Sequence, residues 1–304
     1  MNHTMAAFSM TKTITAIAVL QLVEKQVITL DDKVSRYVKH PYNSDITIGQ
    51  LLNHTSGIPN PIPLKWVHLA KDDDIFNEDA ALALVLRENP KSNCAPGIKY
   101  QYSNIGYWLL GKIIEAATGQ QYREYVKQNI FQPLKLGPAE IDFKINEPSN
   151  HAKGYLAKCS FLNLFKSFVT KREVWGEYEG RWLHIKDVYL NGPAFGGVIG
   201  SAKAFSRILQ NLLSDESILI GENAKQLLYE PGRTDSGRRI PMTSGWHIGD
   251  LNGLRYFYKE GGGAGFHSEM RIYPSAGLAS VIMTGRTSFN SRNELSRIDL
   301  NFIM

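Results

Sequence analysis

The chain has 304 residues and a formal net charge of +5; apolar residues make up 43% of it and charged residues 21%. This length is enough to bury a core without staples, and the composition is that of a globular protein. The basic residues are spread thinly along the chain, which argues against nucleic-acid binding. The two cysteines are isolated, and the eight histidines lack ligand spacing. The sequence therefore predicts no disulfide, metal or cofactor.

The apolar stretch after Lys12 resembles the core of a secretory signal, but its apolar residues recur with helical spacing. Glu24-Lys25-Gln26 follow it where a signal would have a small-residue cleavage site. We predict a core helix from about Phe8 to Lys25. No apolar run is long enough to span a membrane. The sequence leaves the compartment unknown, with the cytoplasm only as the default.

Most of the following chain is predicted to be helical. Helices are expected at 47–52, 78–88, 105–117, 122–131, 202–213 and 222–229, and Thr118-Gly119 is typical of a C-terminal cap. Between them, residues 155–192 are aromatic-rich and punctuated by glycine, a pattern that indicates short strands.

The last quarter has period-two patterns that predict an antiparallel meander. Strands are expected at 255–259, 266–273 and 278–283, and a final helix from near Ser291. In the middle strand apolar residues alternate with His267, Glu269 and Arg271, which predicts one buried face. The expected fold class is α/β (α+β) in a single unit over 1–304. A mainly helical lobe occupies 1–235, and an antiparallel sheet with its closing helix occupies 236–304.

Three short motifs could carry chemistry, and the first is Ser9-Met10-Thr11-Lys12. Residues three apart on a helix share one face, so the lysine can reach the serine. A serine hydroxyl becomes a nucleophile when a neighbour accepts its proton, and a lysine of lowered pKa can do so. Alone, the tetrapeptide is equally well read as a serine near a helix start with a solvated lysine.

The second motif is Tyr102-Ser103-Asn104, directly before a strong helix. Here Tyr102 could relay a proton and Asn104 could hold a substrate amide; the alternative is a loop tyrosine beside a helix cap. The third is the glycine run from Glu260 to Phe266 at the end of a strand. Glycines allow a close approach of backbone and leave N–H groups for an oxyanion; the alternative is a flexible hairpin turn.

Together these motifs resemble the serine β-lactamase and penicillin-binding-protein superfamily, whose order is Ser-x-x-Lys, Tyr-x-Asn and a Lys-Thr-Gly or His-x-Gly strand. Three further stretches are similar to segments of that family: Leu51-Leu52-Asn53-His54-Thr55-Ser56-Gly57, Tyr102-Ser103-Asn104-Ile105-Gly106-Tyr107 and Phe195-Gly196-Gly197 with Ser201. The resemblance covers nearly the whole chain and implies a β-lactamase/transpeptidase-like fold.

The resemblance also implies roles. Ser9 would form an acyl-enzyme, while Lys12 and Tyr102 would share the general base and acid work, as in class C β-lactamases and related esterases. The order of their proton transfers stays open. Asn104 would orient Lys12 and the substrate, and the N–H groups of Ser9 and Gly263, with Gly262 beside them, would receive the oxyanion. His54 would be structural.

Two departures from the family pattern matter. We read Glu260 at the position of the family's Lys or His, and a carboxylate there would repel substrates that carry a carboxylate. Lys259 alternates to the other face and is expected to be a poor replacement. In addition, relatives carry a helix and two strands before the nucleophile. Their absence before Ser9 would leave a sheet edge open. A truncated gene product, a misassigned start methionine or a strand borrowed from a partner, such as a second copy in a homodimer, would each account for it.

Three functions follow from the sequence. The first is a serine esterase or amidase acting on small, neutral or cationic substrates. The second is a β-lactamase or D-amino-acid peptidase, and the third is a non-catalytic penicillin-recognising scaffold or an inactive fragment. The aromatic and basic stretch at 161–172 is expected to form a lid or core packing rather than to contact a membrane.

Overall fold

The computed structural model describes residues 2–62, 65–160, 163, 171–287 and 289–303, so the stretch at 161–172 lies mostly outside the described residues. Nine α-helices occur in the described part of the chain. They are α1 (Thr11–Glu24), α2 (Ile48–Leu52), α3 (Glu78–Glu88), α4 (Asn104–Thr118), α5 (Tyr122–Val126), α6 (Pro193–Gly196), α7 (Ala202–Leu213), α8 (Glu222–Tyr229) and α9 (Ser291–Ile303). The predicted helices are thus confirmed, with α5 continuing as a π-helical turn over Lys127–Phe131.

Helix α1 lies at the centre of the molecule. Every residue from Thr11 to Leu22 is buried, including Lys12. A helix that is buried all round has neighbours on each side, which explains why apolar residues occur on all of its faces. Contacts of α1 with α4, α6 and α8 place its N-terminal turn deep between the helices and the sheet.

The strands in the described residues are β1 (Thr4–Ala6), β2 (Val67–Leu69), β3 (Ile141–Asp142), β4 (Gly154–Ala157), β5 (Trp175–Glu179), β6 (Trp182–Ile185), β7 (Val188–Leu190), β8 (Ile199–Ser201), β9 (His247–Leu251), β10 (Leu254–Gly263), β11 (Phe266–Tyr273) and β12 (Leu278–Thr284). The short strands expected within 155–192 are therefore present. Three of these strands form a sheet in the order β1-β8-β3. Strand β1 pairs antiparallel with β8 up to Ala6, so the chain leaves this sheet just before the candidate nucleophile Ser9.

The predicted meander is a four-stranded antiparallel sheet in the order β12-β11-β10-β9. Two-residue turns connect β9 to β10 through Asn252-Gly253 and β10 to β11 through Ala264-Gly265. All four turn residues have positive φ, between 42° and 87°. These are type I′ hairpins, whose twist matches the sheet and which fix the register of β10 against both neighbours.

The expectation of one buried face on β11 is wrong, because α9 covers the polar face with paired charges. Glu269 and Arg271 are both fully buried and form an ion pair of 2.6 Å, and Arg271 also lies 3.4 Å from Asp299 on α9. Ser291 donates a hydrogen bond of 2.6 Å to Glu269. Buried charges are tolerated when paired and hydrogen-bonded in this way.

Candidate active site

Ser9 lies in a short 3-10 helix, Phe8–Met10, that leads into α1. Its side chain is reached by two others, as the sequence predicts. Lys12 Nζ is 3.1 Å from Ser9 Oγ, and the Tyr102 hydroxyl donates to the same oxygen over 2.9 Å. The serine thus has an amine on one side and a phenol on the other, which is an arrangement that can activate a hydroxyl as a nucleophile.

Lys12 is fully buried and has two further partners. Its Nζ donates to Asn104 Oδ1 over 2.7 Å and to the carbonyl oxygen of Phe195 over 2.6 Å. Burial lowers the pKa of Lys12 well below its usual value, and the positive charge of Lys259 lowers it further. A neutral amine has two N–H groups for the two acceptors, so its lone pair is left to face Ser9 Oγ.

Tyr102 and Asn104 are held at the start of α4. Ser103 caps that helix, because its hydroxyl accepts the N–H of Gly106 over 3.1 Å. The cap fixes the two flanking side chains on the same side of the chain, toward Lys12. Burial raises the pKa of Tyr102. The phenol is therefore protonated at neutral pH and acts as a hydrogen-bond donor to Ser9.

The sheet face that reaches the site carries Lys259, and the expectation for Glu260 is corrected. Lys259 is fully buried with its Nζ 4.9 Å from the centre of the Tyr102 ring. Glu260 points to the opposite face, where its side chain is 38% exposed and lies 3.6 Å from Arg292. The alternation along β10 was recognised in the sequence, but the sequence alone did not show which face meets α1.

Lys259 brings an uncompensated charge to the site. Its Nζ has no hydrogen-bond partner among the described residues. Burial lowers the pKa of Lys259 to about 7, an effect that the carboxylate of Glu260 partly opposes. Among the described residues no carboxylate forms an ion pair with Lys259, so this buried side chain favours an anionic ligand.

The glycine run of β10 also differs from expectation in one respect. Ile248 donates its N–H to the carbonyl oxygen of Pro241, away from β10, so Ile248 and Phe257 opposite it form a pair without mutual hydrogen bonds. The next residue, Tyr258, and every second residue of β10 from it therefore direct their N–H groups toward β9. Pairing of β9 with β10 stops at Tyr258, which leaves the N–H of Gly262 on a free edge of the described sheet. Gly263 closes the hairpin opposite Phe266, and such a closing pair uses its N–H. Gly262 rather than Gly263 therefore has the available donor.

Close packing holds this strand against the nucleophile segment. A Cβ atom on Gly261 would lie 2.0 Å from the carbonyl oxygen of Ala7, and one on Gly263 would lie 2.7 Å from the Phe8 ring. Ser268 from β11 also donates to the Ala7 carbonyl oxygen over 3.2 Å. The glycines are needed because the backbone of β10 contacts the backbone that precedes Ser9.

Sequence reasoning rejected one contributor to the site, the side chain of Lys259, and missed another, the carbonyl oxygen of Phe195. The alternation along β10 could have indicated Lys259, and the two glycines that follow Phe195 could have indicated its carbonyl oxygen. Among the residues that the structure describes, no group of three His, Cys, Asp or Glu side chains could hold a metal ion. No described helix has both the length and the apolar character that a membrane crossing requires.

The chain is similar in sequence to a penicillin-binding protein, and in fold to a penicillin-binding protein homologue and an amidase. Penicillin-binding protein 4* of Bacillus subtilis is 28% identical over 243 residues, which cover 78% of this chain and 51% of the relative. The chain thus spans about half the length of that relative. The octameric penicillin-binding protein homologue from Pyrococcus abyssi superimposes with a TM-score of 0.77 at 21% identity, covering 99% of this chain and 66% of that one.

A D-amino acid amidase from Ochrobactrum anthropi has the same fold, with a TM-score of 0.74 at 18% identity over 99% of this chain and 85% of that one. The family model described as Beta-lactamase matches residues 2–300. The fold is thus the β-lactamase/transpeptidase fold expected from the sequence motifs, and the chain belongs to the Beta-lactamase family of serine hydrolases and penicillin-binding-protein homologues.

Proposed function

We propose that this chain is a serine hydrolase that forms an acyl-enzyme on Ser9 and cleaves small amides or esters that carry a carboxylate. The observation that carries the proposal is the convergence of Lys12 and Tyr102 on one serine oxygen, within 3.1 Å and 2.9 Å. Such a pair gives the hydroxyl both an acceptor for its proton and a donor that orients it.

Lys12 is the general base in this proposal. Its two other hydrogen bonds go to acceptors, and burial lowers its pKa, which favours the neutral amine that accepts the proton of Ser9 as Oγ attacks the carbonyl carbon. Tyr102 then donates its proton to the leaving nitrogen or oxygen and regains one from the Lys12 ammonium. General acid–base assistance of this kind is typically worth about 10²- to 10⁴-fold in rate.

The oxyanion of the tetrahedral intermediate would lie between the N–H groups of Ser9 and Gly262. Ser9 is at the start of the central helix, where N–H groups have no partner within the helix and the dipole favours negative charge. The N–H of Gly262 lies on the free edge of β10 on the side where β9 has ended. Two such donors stabilise the charge that develops in the transition state.

Lys259 supports a carboxylate in the substrate. Its charge is buried beside Tyr102 and has no partner among the described residues, so a carboxylate would supply the missing ion pair. This reverses the preference for neutral or cationic substrates that was inferred from Glu260. It favours the β-lactamase or D-amino-acid peptidase alternative, whose substrates carry a carboxylate.

The test is covalent labelling with a fluorophosphonate, read by intact mass. We expect one adduct on the native chain, no adduct on Ser9→Ala, and an unchanged adduct on Ser206→Ala, which removes a serine hydroxyl on α7. A cooperatively folded protein that is never labelled would contradict the hydrolase and support the penicillin-recognising scaffold. The homodimer stays a prediction that light scattering can check.

A further inference from the structure

His54, which the sequence analysis treated as structural, brackets the tyrosine of the site. It lies in the loop after α2, is fully buried, and has a φ of 60°. Its carbonyl oxygen accepts the N–H of Gln101 over 2.7 Å, and its ring Nδ1 accepts the N–H of Ser103 over 3.1 Å. The residues on both sides of Tyr102 are therefore bound to this one histidine.

The imidazole ring of His54 also packs on the phenol ring of Tyr102, the residue between Gln101 and Ser103. The ring centres of His54 and Tyr102 are 4.3 Å apart with the planes tilted by 34°, and Tyr107 lies 5.0 Å away on the same histidine. Three contacts thus fix the position of Tyr102: one below the ring and one at each end of its backbone. A side chain locked by packing and by hydrogen bonds has little freedom to leave its productive position.

The chemical state of His54 follows from its partners. A ring nitrogen that accepts an N–H carries no proton, so the proton of the neutral ring is on Nε2. Burial lowers the pKa of His54 well below its usual value, and Lys259 and Lys12 lower it further. Nε2 has no partner among the described residues, and so it has none through which to pass a proton. The residue is suited to hold the loop and unsuited to act as a base.

We propose that His54 is a positioning residue that holds the Tyr102 hydroxyl at hydrogen-bond distance from Ser9. The inference rests on the proposed function, because it assigns a purpose to that same hydroxyl. An apolar ring in place of the imidazole would preserve the stacking but leave the buried N–H of Ser103 without an acceptor. The loop would then hold the phenol less well.

The test is a double-mutant cycle on the full chain. We expect His54→Phe to slow fluorophosphonate labelling of Ser9 about tenfold or more, and to have an effect below about twofold when Tyr102 is already Phe. His54→Asn, whose amide oxygen can take the place of Nδ1, should restore most of the rate. His40→Phe is the matched control, since His40 also stacks on a tyrosine and neither of its ring nitrogens has a hydrogen-bond partner in the described part of the chain. Equal losses in both backgrounds, or a similar loss in His40→Phe, would overturn the proposal.

Hydrogen exchange separates this inference from the proposed function. The Ser103 amide should exchange faster in His54→Phe and remain protected in His54→Asn, whether or not the serine reacts. If the native chain is not labelled, the hydrolase proposal fails. Unchanged exchange of the Ser103 amide in His54→Phe would then overturn the positioning role of His54 as well. Should His54→Phe fail to fold, loss of both labelling and Ser103 protection in His54→Asn would also overturn it.

Discussion

Replacement of Lys259 by methionine removes the one buried charge of the site that lacks a partner in the described residues, and keeps an unbranched side chain. Truncating one member of a buried charge pair costs about 2 kcal/mol or more. With a pKa of about 7, roughly half of the free molecules carry the charge at neutral pH, which changes the result by only about twofold. We therefore expect kcat/KM for a carboxylate substrate to fall about 15-fold or more.

The assay uses two peptides that end in D-alanine, one with a free carboxylate and one with a carboxamide. The loss caused by Lys259→Met should be about tenfold or more larger for the carboxylate peptide than for the carboxamide, whose hydrolysis changes only through the altered pKa of Lys12. Glu260→Gln is the matched control, because its side chain is on the other face of β10 and partly exposed. Equal losses on both peptides would refute the assignment of Lys259 to carboxylate binding.

The pH dependence gives the sign of the same effect. Lys259 is protonated below its pKa of about 7, so the preference for the carboxylate peptide should be full there and decline up to about tenfold per unit as the pH rises above it. Without the charge of Lys259, the pKa of Lys12 should rise, since that charge is one cause of its lowering. The acidic limb of the rate profile should then move to higher pH, and a limb that did not move would contradict the coupling.

Asn104→Asp places a carboxylate at hydrogen-bond distance from Lys12, which should raise the pKa of Lys12. We expect kcat at neutral pH to fall about tenfold or more and to recover in part at higher pH, where Lys12 loses its proton. Gly261→Ala should abolish Ser9 labelling, because its Cβ would meet backbone at 2.0 Å, whereas Gly262→Ala has 3.5 Å to the nearest atom and should be labelled at a near-native rate. Arg271→Met leaves two buried carboxylates unpaired and should lower the free energy of unfolding in urea by about 3–5 kcal/mol, without changing substrate preference.

Much of this molecule could be predicted from local sequence patterns. Helical periodicity located α3, α7 and α8 to the residue, and alternation located β11. The reason is that apolar spacing and capping residues act over a few positions and do not depend on the rest of the fold. The same is true of Ser9 and Lys12, since one helical turn brings them together wherever the helix lies.

The sequence by itself therefore determined the family, the fold and the motif residues around the candidate nucleophile. Tertiary structure decided which face of β10 meets α1, and with it whether Lys259 or Glu260 enters the site. It also decided which glycine N–H is free, because that depends on where pairing with β9 ends. The lowered pKa values of the lysines have the same origin: desolvation and charge repulsion arise only when residues distant in the chain are packed together.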